Sequence, residues 1–107
     1  VYAPMGLGGH VDHRMVRRVV RRSGLSLRLY PDFPYAARGL ELPPDLEFQR
    51  GSRERYAFQP EEVGEWASAI CEYTTQLSTF WPSYEALMQE LQAYLTEQAV
   101  MTIYRCE

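Results

Sequence analysis

Tyr2-Ala3-Pro4-Met5-Gly6-Leu7-Gly8-Gly9-His10-Val11-Asp12-His13-Arg14 leads a short strand or loop through a glycine-rich bend and into a helix. Three glycines in four residues, Gly6, Gly8 and Gly9, ask for a backbone that turns tightly or lets another group come close. The helix is predicted from Asp12, whose carboxylate suits an N-cap. Met15, Val16, Val19 and Val20 recur on one face of it and are expected to face a core. Arg14, Arg17, Arg18, Arg21 and Arg22 cover the other sides as a solvated surface, and Ser23-Gly24 supplies the stop.

Downstream, Leu25, Leu27 and Leu29 alternate with Ser26, Arg28 and Tyr30, which predicts a strand. Pro31-Asp32-Phe33-Pro34-Tyr35 breaks it, because two prolines so close forbid a continuing ladder. Residues 36–45 read as loop, and Leu46 to Phe58 holds one or two short edge strands around Gly51-Ser52. Gln59-Pro60-Glu61-Glu62 starts a helix with proline at its first position and acids at the positive end of its dipole. Val63, Trp66, Ile70, Tyr73, Leu77 and Phe80 continue the helical spacing to Trp81, where Pro82 ends it and Ser83 caps a third helix. That helix buries Tyr84, Leu87, Met88, Leu91, Tyr94 and Leu95, and Met101 to Arg105 alternates as a terminal strand. The order of elements predicts an α/β layer architecture rather than a helical bundle.

The 107 residues amount to one small domain or part of a larger one. A chain of this length buries only about 65% of its unfolded surface, so its own stability is modest. All eleven basic residues are Arg, which excludes Schiff-base or lysine-nucleophile chemistry. Residues 1–45 carry a net charge of +3 and residues 46–107 a net −6. The basic excess sits mostly on one helix and the chain as a whole is acidic, so nucleic acid is not an expected partner. No apolar run approaches the length of a membrane span, and no signal-peptide pattern is present. Cys71 and Cys106 have no metal-type spacing; free thiols in a reducing cytoplasm are the expectation. The chain opens on Val1 rather than Met, which suggests a fragment or a processed product.

Both histidines of the chain lie within four residues, flanking Asp12. Imidazole is the commonest transition-metal ligand and an acid or base near neutral pH. A ligating histidine usually needs a carboxylate or carbonyl on its other nitrogen to fix its tautomer. His10, Asp12 and His13 at a loop-to-helix junction supply parts for both jobs. The plain alternative is an N-capping aspartate beside two surface histidines. Asp32 and Tyr35, just after the strand, either touch substrate or serve as turn residues. The aromatic stripe of Tyr73, Phe80, Trp81, Tyr84 and Tyr94 is read as core or packing surface rather than a sugar platform.

The stretch from Tyr2 to Arg14 resembles the C-terminal histidine motif of the LmbE/PIG-L family of N-deacetylases. Similarity continues through Val16-Arg17-Arg18 and Tyr30-Pro31-Asp32-Phe33-Pro34-Tyr35-Ala36. It returns at Ala69-Ile70-Cys71-Glu72-Tyr73-Thr74-Thr75-Gln76-Leu77, which is similar to the family's helix ending in a Tyr-x-x-Gln segment. The resemblance implies that residues 1–107 are the C-terminal portion of a single LmbE-like domain, a Rossmann-like three-layer α/β fold incomplete on its own. It implies hydrolysis of an N-acyl, typically acetyl, amide on an amino-sugar-type substrate with zinc or another divalent metal. By resemblance His13 binds the metal and Asp12 orients a histidine. His10 faces the scissile carbonyl, stabilising the oxyanion or protonating the departing amine. The final segment, Thr102 to Glu107, departs from the family's aromatic-rich ending.

The family's other ligands and its general base belong to an N-terminal His-Pro-Asp-Asp-Glu type motif, and nothing in this sequence matches it. One imidazole cannot hold zinc where three protein ligands are the rule for catalytic sites. The 107 residues alone are therefore expected to be inactive. The expected partners are the missing N-terminal half or a second copy of the chain, with a small N-acylated molecule as substrate. The alternative is a truncated, non-catalytic relative that acts as an interaction or structural module.

Overall fold

The computed structural model describes residues 1–39, 53–97 and 100–106. They fall into two compact units, Val1–Tyr56 with Met101–Glu107, and Ala57–Val100. The first unit is built on a four-stranded sheet in the order β1-β2-β4-β3, formed by β1 (Tyr2–Pro4), β2 (Leu27–Tyr30), β3 (Arg53–Ala57) and β4 (Val100–Cys106). Parallel neighbours need a crossover, and α1 (Val11–Arg22) provides it between β1 and β2. Tyr2, Ala3 and Pro4 pair with Arg28, Leu29 and Tyr30, while β4 runs antiparallel on the other side of β2 with Tyr104 opposite Leu29. The α/β architecture expected from the order of elements is the one observed.

The alternation in β2 holds: Leu27 and Leu29 are buried, Arg28 is half-buried and Tyr30 is exposed. With Ala3, Met5 and Leu7 these leucines form the core of the first unit, against which Val20, Tyr35 and Ala36 pack. Each fully buried leucine contributes about 1.5–3 kcal/mol relative to exposure. The predicted strands of Leu46 to Phe58 are represented by β3; residues 46–52 lie outside the described residues, as do 40–45 of the predicted loop.

Two expectations for α1 are corrected. Its N-cap is His10, not Asp12: His10 leaves Gly9 with φ −58 and ψ 131, and its carbonyl accepts the first helical bond from Arg14 N at 3.1 Å. Asp12 lies inside the first turn, where its charge still suits the helix dipole. The face expected to be core is open instead, with Met15, Val16 and Val19 exposed and Val20 alone half-buried; Val11, one turn before Met15, is exposed as well. The side turned toward the sheet runs through His13, Arg17 and Val20, one helical stripe at spacings of four and three.

Arg17 also departs from its expected place on a solvated face. It is 4% exposed and donates from Nη1 to Met5 O at 2.6 Å, tying the helix to the end of β1. Arg17→Ala leaves that buried carbonyl without its donor and removes the packed stem, an expected loss of roughly 2–3 kcal/mol. Urea unfolding measures it; a midpoint unchanged from wild type would deny the guanidinium this role.

The second unit holds α2 (Pro60–Cys71), α3 (Thr74–Phe80) and α4 (Tyr84–Glu97). A Gln59–Glu62 capping box opens α2, with Gln59 N donating to Glu62 Oε2 at 2.8 Å. The single helix expected down to Trp81 is instead divided. Glu72 N and Tyr73 N close short turns onto Ala69 O and Ile70 O, and Tyr73, at ψ 57, leaves the helix. Thr74-Thr75 follows, a β-branched pair with little preference for continuing a helix. Ala67, Leu87 and Leu91 are fully buried here, Ser83 Oγ accepts from Ala86 N at 3.1 Å, and Trp81 Nε1 donates to Glu90 Oε2 at 2.7 Å. The aromatic stripe splits: Trp81 and Tyr94 are buried, whereas Tyr73 and Tyr84 are exposed.

No helix among the described residues is long and apolar enough to cross a membrane. Cys71 is a free thiol.

Candidate functional site

Because β1 and β2 are parallel neighbours, their carboxyl ends open on the same side, the position at which α/β sheets place ligands. The register that pairs Pro4 with Tyr30 carries on past the strands. Met5 N donates to Tyr30 O at 2.9 Å, and Gly6 N donates to Asp32 Oδ2 at 2.8 Å. Gly6 and Asp32 each lie two residues beyond that last pair, so the glycine bend and the proline-rich turn leave the sheet side by side.

The same Asp32 oxygen meets His13 Nδ1 at 3.1 Å. Asp32 is 2% exposed, whereas the His13 side chain is 35% exposed, so the imidazole bridges a buried carboxylate and the surface. Burial is the largest influence on Asp32 and raises its pKa above the ordinary carboxylate range, although His13 and the Gly6 amide both act to lower it.

His10 stands beside His13 with ring centroids 5.3 Å apart and planes tilted by 47°. Its Nδ1 accepts from Asp12 N at 3.3 Å, and the Asp12 carboxylate approaches the same nitrogen at 3.8 Å. Both side chains are well exposed. Tyr35 presents its ring to His13 nearly edge-on, at 6.1 Å and 85°. Tyr35 in turn covers Gly8, where a Cβ would come within 2.4 Å of the ring; Gly8 also has φ +74, a conformation L side chains avoid.

His10, His13, Asp32 and Tyr35 are thus drawn together by α1 and two loops, with Asp12 at the rim against His10. Asp32 was a candidate for substrate contact; here its carboxylate is sunk beneath His13. The close approach expected at the glycines is met at Gly8 by the Tyr35 ring, whereas Arg17 was read as a solvated surface charge. Arg17 follows His13 by four positions, a spacing that puts both on one helix face and marks it as something other than a surface charge.

No group of three or more His, Cys, Asp or Glu side chains able to hold a metal occurs among the described residues. Two imidazoles with ring centroids 5.3 Å apart fall short of the three protein ligands a catalytic zinc needs. The described residues by themselves do not fit a zinc centre.

No protein-family model matches the chain, and no curated protein matches it. Solved structures do. The A40926 pseudoaglycone deacetylase is 29% identical with a TM-score of 0.72, over 97% of this chain and 47% of its own. The zinc-inhibited form of a teicoplanin deacetylase is 24% identical with a TM-score of 0.73, over 98% of this chain and 43% of its own. A triple mutant of a deacetylase of the teicoplanin biosynthetic pathway reaches a TM-score of 0.76 at 21% identity, over 98% and 48%. The chain has the deacetylase fold, and it spans slightly under half the length of the solved proteins it matches.

Proposed function

We propose that these 107 residues are the C-terminal portion of a metal-dependent N-deacetylase domain that cleaves an N-acyl amide on an amino-sugar-type substrate. The observation that carries this reading is the His13–Asp32 pair beside His10 at the carboxyl ends of β1 and β2, in a chain with the fold of deacetylases. His13 supplies one metal donor, and the remaining donors come from the other half of the domain. A bound divalent metal would supply a water deprotonated near neutral pH and a polarised amide carbonyl.

The chain's own residues take the other parts. His10, half-exposed and 5.3 Å from His13, is placed to donate a proton toward the carbonyl oxygen as negative charge gathers there, or toward the nitrogen as the amine departs. Asp12, whose carboxylate lies 3.8 Å from His10 Nδ1 and whose backbone N–H donates to that nitrogen, orients the ring. Tyr35, packed on Gly8, forms the wall beside His13, and at Gly9, where nothing lies within 4 Å of the Cβ position, a substrate can approach bare backbone.

The same reading accounts for the open face of α1. Val11, Met15, Val16 and Val19 form an apolar stripe whose natural cover is the rest of the deacetylase domain, the part of the matched structures to which this chain has no counterpart.

The test is acetate release from an N-acetylated amino-sugar glycoside by the protein expressed from its whole reading frame. Activity is expected to disappear on dialysis against a chelator and to return with added zinc. Turnover that survives complete metal removal contradicts the metal, and no turnover on any N-acylated amino sugar contradicts the deacetylase.

A further inference from the structure

We infer that Asp32 is the positioning residue of the site: it holds the proton of His13 on Nδ1 and so turns the Nε2 lone pair outward. An ionised carboxylate can only accept, so the 3.1 Å contact between His13 Nδ1 and Asp32 Oδ2 requires the proton on Nδ1. Asp32 is itself held. It is 2% exposed, and the Gly6 amide donates to the same oxygen at 2.8 Å. The carboxylate therefore cannot swing away from the ring without abandoning a buried backbone donor, which costs about 1–3 kcal/mol.

His10 has the opposite arrangement. Its Nδ1 accepts from Asp12 N at 3.3 Å, which in the neutral ring puts the proton on Nε2. Two imidazoles three residues apart thus carry opposite tautomers. One offers a lone pair at Nε2, as a cation ligand must; the other offers an N–H at Nε2, as a donor to developing negative charge must. The His13 half of this division comes from the carboxylate after β2, not from that of Asp12 between the two histidines. It also gives a buried charge at Asp32 a use that a plain turn residue does not have.

The inference rests on the reading of His13 as a ligand only for its purpose; the tautomers themselves are measured without metal or substrate. The chain has two histidines, so histidine-specific nitrogen-15 labelling gives two imidazole spin systems, and a His10→Gln variant assigns them. Above the pH at which both rings are neutral, His13 is expected to be protonated on Nδ1 and His10 on Nε2. Gly6 N and His13 Nδ1 share Oδ2, so an asparagine oxygen there would still accept from both; Asp32→Ala removes the acceptor, and the His13 proton is then expected to leave Nδ1 for Nε2.

A wild-type His13 protonated on Nε2 overturns the inference, as does a folded Asp32→Ala protein whose His13 tautomer is unchanged. If Asp32→Ala does not fold, the wild-type spectrum decides alone. In the zinc-loaded protein from the whole reading frame, Asp32→Ala is further expected to weaken zinc binding roughly 10- to 100-fold. Failure of that arm with the tautomers as stated would count against the metal and leave the positioning role intact.

Discussion

His13→Ala is expected to reduce deacetylation by about 1,000-fold or more and to leave the fold in place. The ring is 35% exposed on its side chain and lies at the end of the stripe that packs α1 on the sheet, so its removal opens little core. Its loss takes one of three ligands from the centre proposed above, and with it several kcal/mol of transition-state stabilisation. At about 1.4 kcal/mol per tenfold, that corresponds to three decades or more. His10→Ala separates the two imidazoles. It is expected to lower kcat by about 100- to 1,000-fold with metal content unchanged, because a proton donor is lost while the ligand stays. Equal metal content in the two variants, or full activity in either, would remove the roles assigned to them. Circular dichroism and the unfolding midpoint check that the fold persists.

The second large effect is expected from one methyl group. Gly8→Ala places a Cβ 2.4 Å from Tyr35 Cδ1 and 2.8 Å from Cε1 and Cγ, far inside van der Waals contact. The ring must move, at an overpacking cost of about 1–3 kcal/mol. The left-handed backbone at Gly8, φ +74, adds about 1–2 kcal/mol for any L residue. A total of roughly 3–4 kcal/mol is a large fraction of the stability of a domain this small. Tyr35 also abuts His13, so the same change disturbs the site. The double variant Gly8→Ala with Tyr35→Ala distinguishes the two costs: relief of the clash makes it more stable than the sum of the single changes by about 1–3 kcal/mol. Strict additivity would mean that the ring and the glycine do not touch.

Much of this was legible in the sequence. The glycine bend, the helix after it, the alternation of Leu27 and Leu29, the proline start at Pro60 and the stop at Pro82 are local signals, each written in a few adjacent residues. The cluster of His10 and His13 was legible for the same reason. What was not legible depends on neighbours distant in the chain. The pairing of His13 with Asp32 follows from the parallel register of β1 and β2, which sets Gly6 beside Asp32 across 26 residues. Periodicity tells which residues of α1 share a face but not which face the sheet will cover. The sheet covers the side with Arg17 and Val20, where the guanidinium reaches Met5 O, and leaves Val11, Val16 and Val19 open. The break at Tyr73 was hidden because apolar residues keep helical spacing on both sides of it.

Zinc per chain, measured by elemental analysis on the protein from its whole reading frame and on its His13→Ala variant, bears most directly on whether this imidazole belongs to a hydrolytic metal centre. About one zinc in the wild type and none in the variant is the predicted result, since a centre with three protein ligands does not survive the loss of one. A wild-type protein without metal, or a variant that keeps its full complement, would contradict it.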